Sequence, residues 1–259
     1  IAKPLVEGEA IRDWGIEHRT EALFPYGKDL KAELKDQFLN RHLWSHRTLL
    51  RLRREPGGTH EEIGLTWYEW SRWHPERFSI PLGIAMSFVA THNHFVLDRG
   101  GKVFNRSAPV IKLPKDATED QHLELLGVLN SSTACFWLKQ VSYPKGGDPV
   151  GDQGARVSIE SWSDRYEFTS TKLQEFPLPA SLPLDRAREL DSLAQRLSSL
   201  EPSAVVESAT PTRSRLNEAR AEYAAIRARM IALQEELDWD VYHRYGLITD
   251  AEHAELVLP

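Results

Sequence analysis

The residues best suited to chemistry lie in "ATHNHFVLDRGGKVFNRSAPVIKL", residues 90–113. His92 and His94 stand two apart, and Asp98 follows four residues later. On a strand, alternate side chains share a face, so His92, His94 and Val96 are expected to point the same way. Histidines with a nearby carboxylate at this spacing open many strand-edge metal sites in double-stranded β-helix folds. Such a site needs a further histidine returning from a later strand. The later histidines are His122 on a helix-like stretch and His243 and His253 near the end, none in a strand-like run. His60 and His74 fall in loops. The sequence therefore favours histidines satisfied in a strand or facing a ligand, with no metal.

Other chemistries find less. Cys135 is the single cysteine, so there is no intrachain disulfide and no thiolate zinc cage. Within "TACFWLK" it reads as a packing thiol. No Gly-x-Ser-x-Gly elbow occurs. The glycines at 146, 147, 151 and 154 lack the Gly-Lys-Ser/Thr ending of a phosphate loop and read as a mobile segment that could close over a partner, with Lys145 at its edge. A basic helix is of more interest, with a solvated surface helix as the equally weighted alternative. Arg41, Arg47, Arg51 and Arg54, with His42, His46 and Arg53 beside them, fall in one helical pattern. The guanidinium fork suits phosphate and the major-groove edge of guanine. "WYEWSRWHPERF", which carries Arg72, reads mainly as core aromatics, with a nucleic-acid surface as the weaker alternative.

These groups need elements to hold them. Residues 29–54 are predicted as one helix, with Leu30, Leu34, Phe38, Leu43 and Leu50 as its apolar stripe and "EPGG" as its stop. The opening stretch reads as strand, tight "DRGG" turn, strand. Thr118 and Gln121 form a capping box for a helix, and a second short helix follows "NSST". The proline-rich run ending in "FPLPASLPL" marks a boundary. Beyond it Leu216, Ala219, Tyr223, Ile226, Met230, Leu233, Leu237, Val241 and Tyr245 form a coiled-coil-like seam, and two helices joined by about a dozen residues make an antiparallel hairpin. The fold class predicted is α+β. A mixed, β-rich recognition domain with inserted helices spans 1–180, a helical hairpin 184–247 and a tail 248–259.

Composition sets the bounds. The chain has 259 residues, 41% hydrophobic and 27% charged, ordinary for a globular protein. No run approaches the roughly 18 apolar residues of a membrane span and no signal-peptide pattern opens the chain, so a cytoplasmic location is expected. Net charge is −6, unevenly spread: +2 over 1–110, −3 over 111–180 and −5 over 181–259. That asymmetry permits a basic face at the front. The start, without methionine and in mid-pattern, suggests a piece of something longer.

Several segments in order then resemble one family: "PLVEGEAIRDW", "ALFPYG", "LWSHRTLLRLRR", "WYEWSRW", "ATHNHFVLDRGGKVFN", "ELLGVLNSSTACFWLK", "LQEFPLP" and "ELDWDVYHRYGL". The succession is similar to the C-terminal part of adenine-specific DNA methyltransferases of restriction–modification and BREX (phage growth limitation) systems. Order and spacing carry this resemblance, over nearly the whole chain. It implies a parent enzyme whose N-terminal catalytic domain binds S-adenosylmethionine and whose C-terminal region reads double-stranded DNA, with other phage-defence proteins as further partners. The family's Asn/Asp-Pro-Pro-Tyr/Phe motif is missing, since no Pro-Pro pair occurs, and no glycine-rich cofactor motif is present. The resemblance thus implies the recognition region without catalytic residues, and leaves open whether this stretch counts as an enzyme. On that reading Arg41, His46, Arg47, Arg51, Arg53, Arg54 and Arg72 face DNA, as do His92, His94, Arg99, Lys102, Asn105, Arg106 and Lys145. A specificity subunit of a multisubunit restriction system, a β-rich metal enzyme, disfavoured by its missing return ligands, and an interaction module built on the terminal helices are the rivals.

Overall fold

A computed structural model describes residues 2–17, 20–145 and 161–253. Along the chain run β1 (Ala2–Val6), β2 (Ile11–Arg12), β3 (Gly15–Ile16), β4 (Thr20–Leu23), α1 (Gln37–Ser45) and α2 (Arg47–Arg51). Next come β5 (Arg54–Glu55), β6 (Gly58–Thr59), α3 (Pro75–Phe78), β7 (Gly83–Met86), β8 (Val89–Ala90), β9 (Phe95–Asp98), β10 (Val103–Phe104) and β11 (Val110–Ile111). The remainder is α4 (Glu119–Leu129), α5 (Ser132–Val141), β12 (Tyr143–Pro144), β13 (Tyr166–Glu167), α6 (Ser170–Gln174), α7 (Leu184–Ser199), α8 (Pro202–Ser208) and α9 (Arg213–Arg244). The α+β class expected from the sequence holds. No described helix is long and apolar enough to cross a membrane.

The chain forms two compact units, the first made of 1–5, 19–81 and 100–103, the second of 6–18, 82–99 and 104–259. In the first, Phe24 and Tyr26 leave the end of β4 and meet Trp70, Trp73 and Phe78, with Tyr26 stacked on Trp73 at a centroid distance of 4.5 Å. The Tyr26 hydroxyl accepts the Trp70 backbone N–H at 2.8 Å. The aromatics at 70 and 73 therefore build this small core.

The first unit corrects the helix predicted over 29–54. Asp36, whose carboxylate accepts the Leu39 N–H at 2.7 Å, starts α1 at Gln37. Leu30 is left-handed, with φ +60°, outside any helix. A break at His46 separates α1 from α2, and Arg54 lies on β5. The apolar stripe crosses that break, so periodicity alone runs the pieces together.

The second unit centres on β7 and β9, an antiparallel pair with Ile84 opposite Leu97 and Met86 opposite Phe95. All eight residues are buried. Side chains alternate. Ile84, Met86, Phe95 and Leu97 face one core with Leu126, Leu190, Leu233, Leu237 and Val241. Ala85 and Val96 face another with Val6, Ile11 and Ala108. The expected hairpin is thus displaced. The partner of β9 precedes it, and after "DRGG", where Gly100 and Gly101 take φ +92° and +82°, β10 goes to β1 instead.

The capping box at Thr118 and Gln121 is present and opens α4. The terminal helices run antiparallel: moving back along α7 from Arg196 to Glu189 to Arg186, the ion-pair partners move forward along α9, Glu222, Arg229 and Glu236. α8 forms within the connection expected to be a loop. This hairpin supplies Leu190, Ala194, Leu233, Leu237 and Val241 to the main core of the second unit.

Candidate nucleic-acid interface

In the first unit, α1 is held by buried Leu39 while Phe38, Trp44, Leu49 and Leu52 are exposed, Phe38 at 74% and Trp44 at 57%. Residues four apart on a helix are neighbours. Phe38, His42 and His46 form such a row, with ring centroids 6.3 and 5.5 Å apart. Beside it the Arg47 guanidinium lies over the Trp44 ring at 4.4 Å, a cation–π contact that holds the charge out in a fixed position. Arg41, one turn before Trp44, is exposed. Neither Arg41 nor Arg47 makes an ion pair among the described residues. Aromatic faces beside unpaired guanidinium groups suit a nucleic-acid strand, by stacking and by phosphate neutralisation.

The other arginines here divide. Arg51 pairs with Glu61 at 2.6 Å. Arg54 is exposed. Arg72 is exposed with φ +54° and lies 3.9 Å from Glu55. Arg53 turns inward and donates to the carbonyls of Leu50, Trp67 and Glu69 at 3.1, 3.0 and 2.7 Å, beside fully buried His60. Burial depresses its pKa, the largest influence on it. It ties α2 to the 66–69 loop. Lys102 is partly buried and has partners of its own.

In the second unit most of the expected contacts are occupied. Arg99 donates to Glu119 at 2.6 Å and to Asp191 at 2.6 Å, and Asp191 is only 4% exposed. It stitches β9 to α4 and α7. Asn105 donates to Glu7 at 3.0 Å and accepts from the Ser107 backbone and hydroxyl. Lys145 pairs with Glu167 at 2.6 Å. Arg106 is exposed. The glycine-rich stretch after Lys145 lies outside the described residues.

His92 and His94 sit in the connection between β8 and β9, not within a strand. Buried Asn93 between them donates to the Leu129 carbonyl at 2.5 Å, and Asn130 exchanges two bonds of 3.0 Å with the Phe95 backbone. With Asn93 plugged inward, the histidines flanking it share one side, their rings 4.0 Å apart. Both meet Asp13, a residue that no sequence pattern singles out. His94 Nδ1 lies 2.7 Å from its carboxylate and His92 Nε2 3.9 Å. Burial, then the neighbouring His94, lower the His92 pKa against the pull of Asp13. Asp13 carries no signal because it is 81 residues from His94 in sequence, on the β2–β3 turn.

The broad class follows from comparison with known proteins: the chain is similar to part of an adenine-specific methyltransferase, as its ordered segments suggest. That relative is the adenine-specific methyltransferase PglX of Streptomyces coelicolor, 53% identical over 246 residues, which are 94% of this chain. The match falls in the C-terminal part of PglX, and the chain spans about a fifth of its length. No family model matches.

Proposed function

We propose that this chain is the part of an adenine-specific DNA methyltransferase that grips double-stranded DNA for a catalytic domain elsewhere in the same protein, within a phage-defence system. Methylation of adenine in a duplex needs the base taken out of the stack while flanking DNA is held. That division of labour suits a chain without the Pro-Pro catalytic motif. The observation that carries the reading is the exposed α1–α2 surface, where Arg41, His42, His46 and Arg47 stand among Phe38 and Trp44. Recognition of duplex DNA begins with phosphate contacts that set register.

The test is binding to a duplex across a salt series. Arg41→Ala, Arg47→Ala and Arg54→Ala combined should weaken affinity and flatten the salt dependence by about 0.9 in slope for each phosphate no longer neutralised. An unchanged slope would remove α1–α2 from the interface. The second reading, a protein-interaction module on the terminal helices, loses ground because their seam is spent on the core of their own unit.

A further inference from the structure

We propose that Asp13, His92 and His94 form a binding site for one divalent transition-metal ion of the zinc class. The inference stands apart from the DNA reading and needs no part of it. One ligand atom from each residue lies within 4.8 Å of the others. Around a tetrahedral zinc, with bonds of about 2.0–2.1 Å, ligand atoms sit roughly 3.4 Å apart. The gap closes by rotation of the half-exposed Asp13 and His92 side chains. Two imidazoles and one carboxylate are donors for zinc, nickel, cobalt or ferrous iron, and not for magnesium or calcium.

The scaffold holds these ligands before any ion arrives. Asp13 occupies a two-residue turn, Arg12 opposite Gly15, whose other central residue, Trp14, has φ +66°. A left-handed non-glycine residue persists only where its surroundings enforce it. Here Trp14 is 4% exposed, its N–H reaches the Phe95 carbonyl at 3.2 Å and its indole N–H reaches Gln234 at 2.9 Å. Trp14 therefore pins the turn against the start of β9, with Asp13 held at the histidines. On the other side Asn93 fixes the histidine segment to the end of α4. The Thr91 hydroxyl lies 3.0 Å from His92 Nδ1, the outer contact that orients a ligating imidazole and leaves Nε2 for the metal.

An ion would replace the present contact between His94 Nδ1 and Asp13, moving the His94 proton to Nε2. Asp13 and His94 also line a cavity of about 620 Å3 with Glu17 and with Leu190 and Met230 of α7 and α9. Three protein ligands leave a coordination position for water or a small ligand from that cavity. Arg12 and Lys139 are the positive charges that act on His92, and Arg227 lines the same cavity; all oppose a cation, and the Asp13 carboxylate and the chelate of two imidazoles must outweigh them.

The experiment uses the untagged 259-residue chain, stripped with chelator and titrated with zinc by calorimetry, with cobalt absorption reporting geometry. One zinc per chain is expected, with tetrahedral cobalt bands. Asp13→Asn, His92→Gln and His94→Gln should each weaken zinc by at least about tenfold, the effect seen even for outer contacts. Magnesium should not compete. His243 meets Asp250 at 2.5 Å and stacks on His253, and is the internal control: His243→Gln should leave zinc affinity unchanged. Circular dichroism checks each fold, and His92→Gln, altering a half-exposed ring, decides if a His94 variant unfolds. The proposal is overturned by absence of saturable binding at micromolar zinc, or by binding that survives the triple substitution or disappears with His243→Gln.

Discussion

At the residue scale, an arginine's surroundings decide whether it meets a ligand or holds the fold. Arg47 and Arg99 look alike in sequence, yet one lies over an exposed indole and the other between two carboxylates. Removing Arg99 leaves Asp191 buried without its cation, which costs about 3–5 kcal/mol for a fully buried pair; the partial exposure of Arg99 brings the expectation to about 2–3 kcal/mol. Arg99→Ala should therefore lower the thermal midpoint while leaving the salt slope of DNA binding unchanged, and a reduced slope with normal stability would put Arg99 in the interface. Tyrosines give a pH window. Burial pushes Tyr26 and Tyr245 up to about 12 from an ordinary value near 10. The folded state thus favours the protonated phenols, and their stabilisation is complete below pH ~10 and lost as pH rises towards about 12. Chemical denaturation across that range should show stability falling steeply. Tyr26→Phe should soften the fall and cost about 1 kcal/mol at neutral pH, because Trp70 loses an acceptor.

At the scale of elements, short local signals are readable and long-range pairing is not. Thr118 with Gln121 announces α4 because both halves of a capping box lie within one turn. The break at His46 leaves no mark on an apolar stripe that continues through it. "DRGG" correctly marks a turn, but a turn signal does not name the partner of the strand that follows it. The approach of α4 to α7 depends on Gly127. A Cβ there would stand 3.0 Å from both Ala187 and Pro183, tighter than ordinary packing. Gly127→Ala should part the two helices at a cost of about 1–3 kcal/mol, measured by denaturant midpoint. Unchanged stability would show that the helices separate freely.

At the scale of the whole molecule, the terminal hairpin is structural to the second unit. Removal of 185–259 would take Leu190, Leu233, Leu237 and Val241 out of the core they share with Leu126, uncover the face of α4 that packs on α7, and strip Asp191 from Arg99. We expect the shortened chain to lose the cooperative unfolding transition of that unit, seen by calorimetry; a retained transition would show that the hairpin is dispensable. The sequence by itself determined the mixed class, the terminal helices, the concentration of positive charge and histidine at the front, and the likeness to adenine-specific methyltransferases. All of these are carried by local periodicity, composition or the order of segments. Only the tertiary structure decided which arginines are tied inside, which strand pairs with β9, and that Asp13 stands beside His92 and His94. Those outcomes depend on contacts between residues far apart along the chain, and the backbone path that closes such distances is set by burial of the whole core rather than by any neighbourhood of sequence.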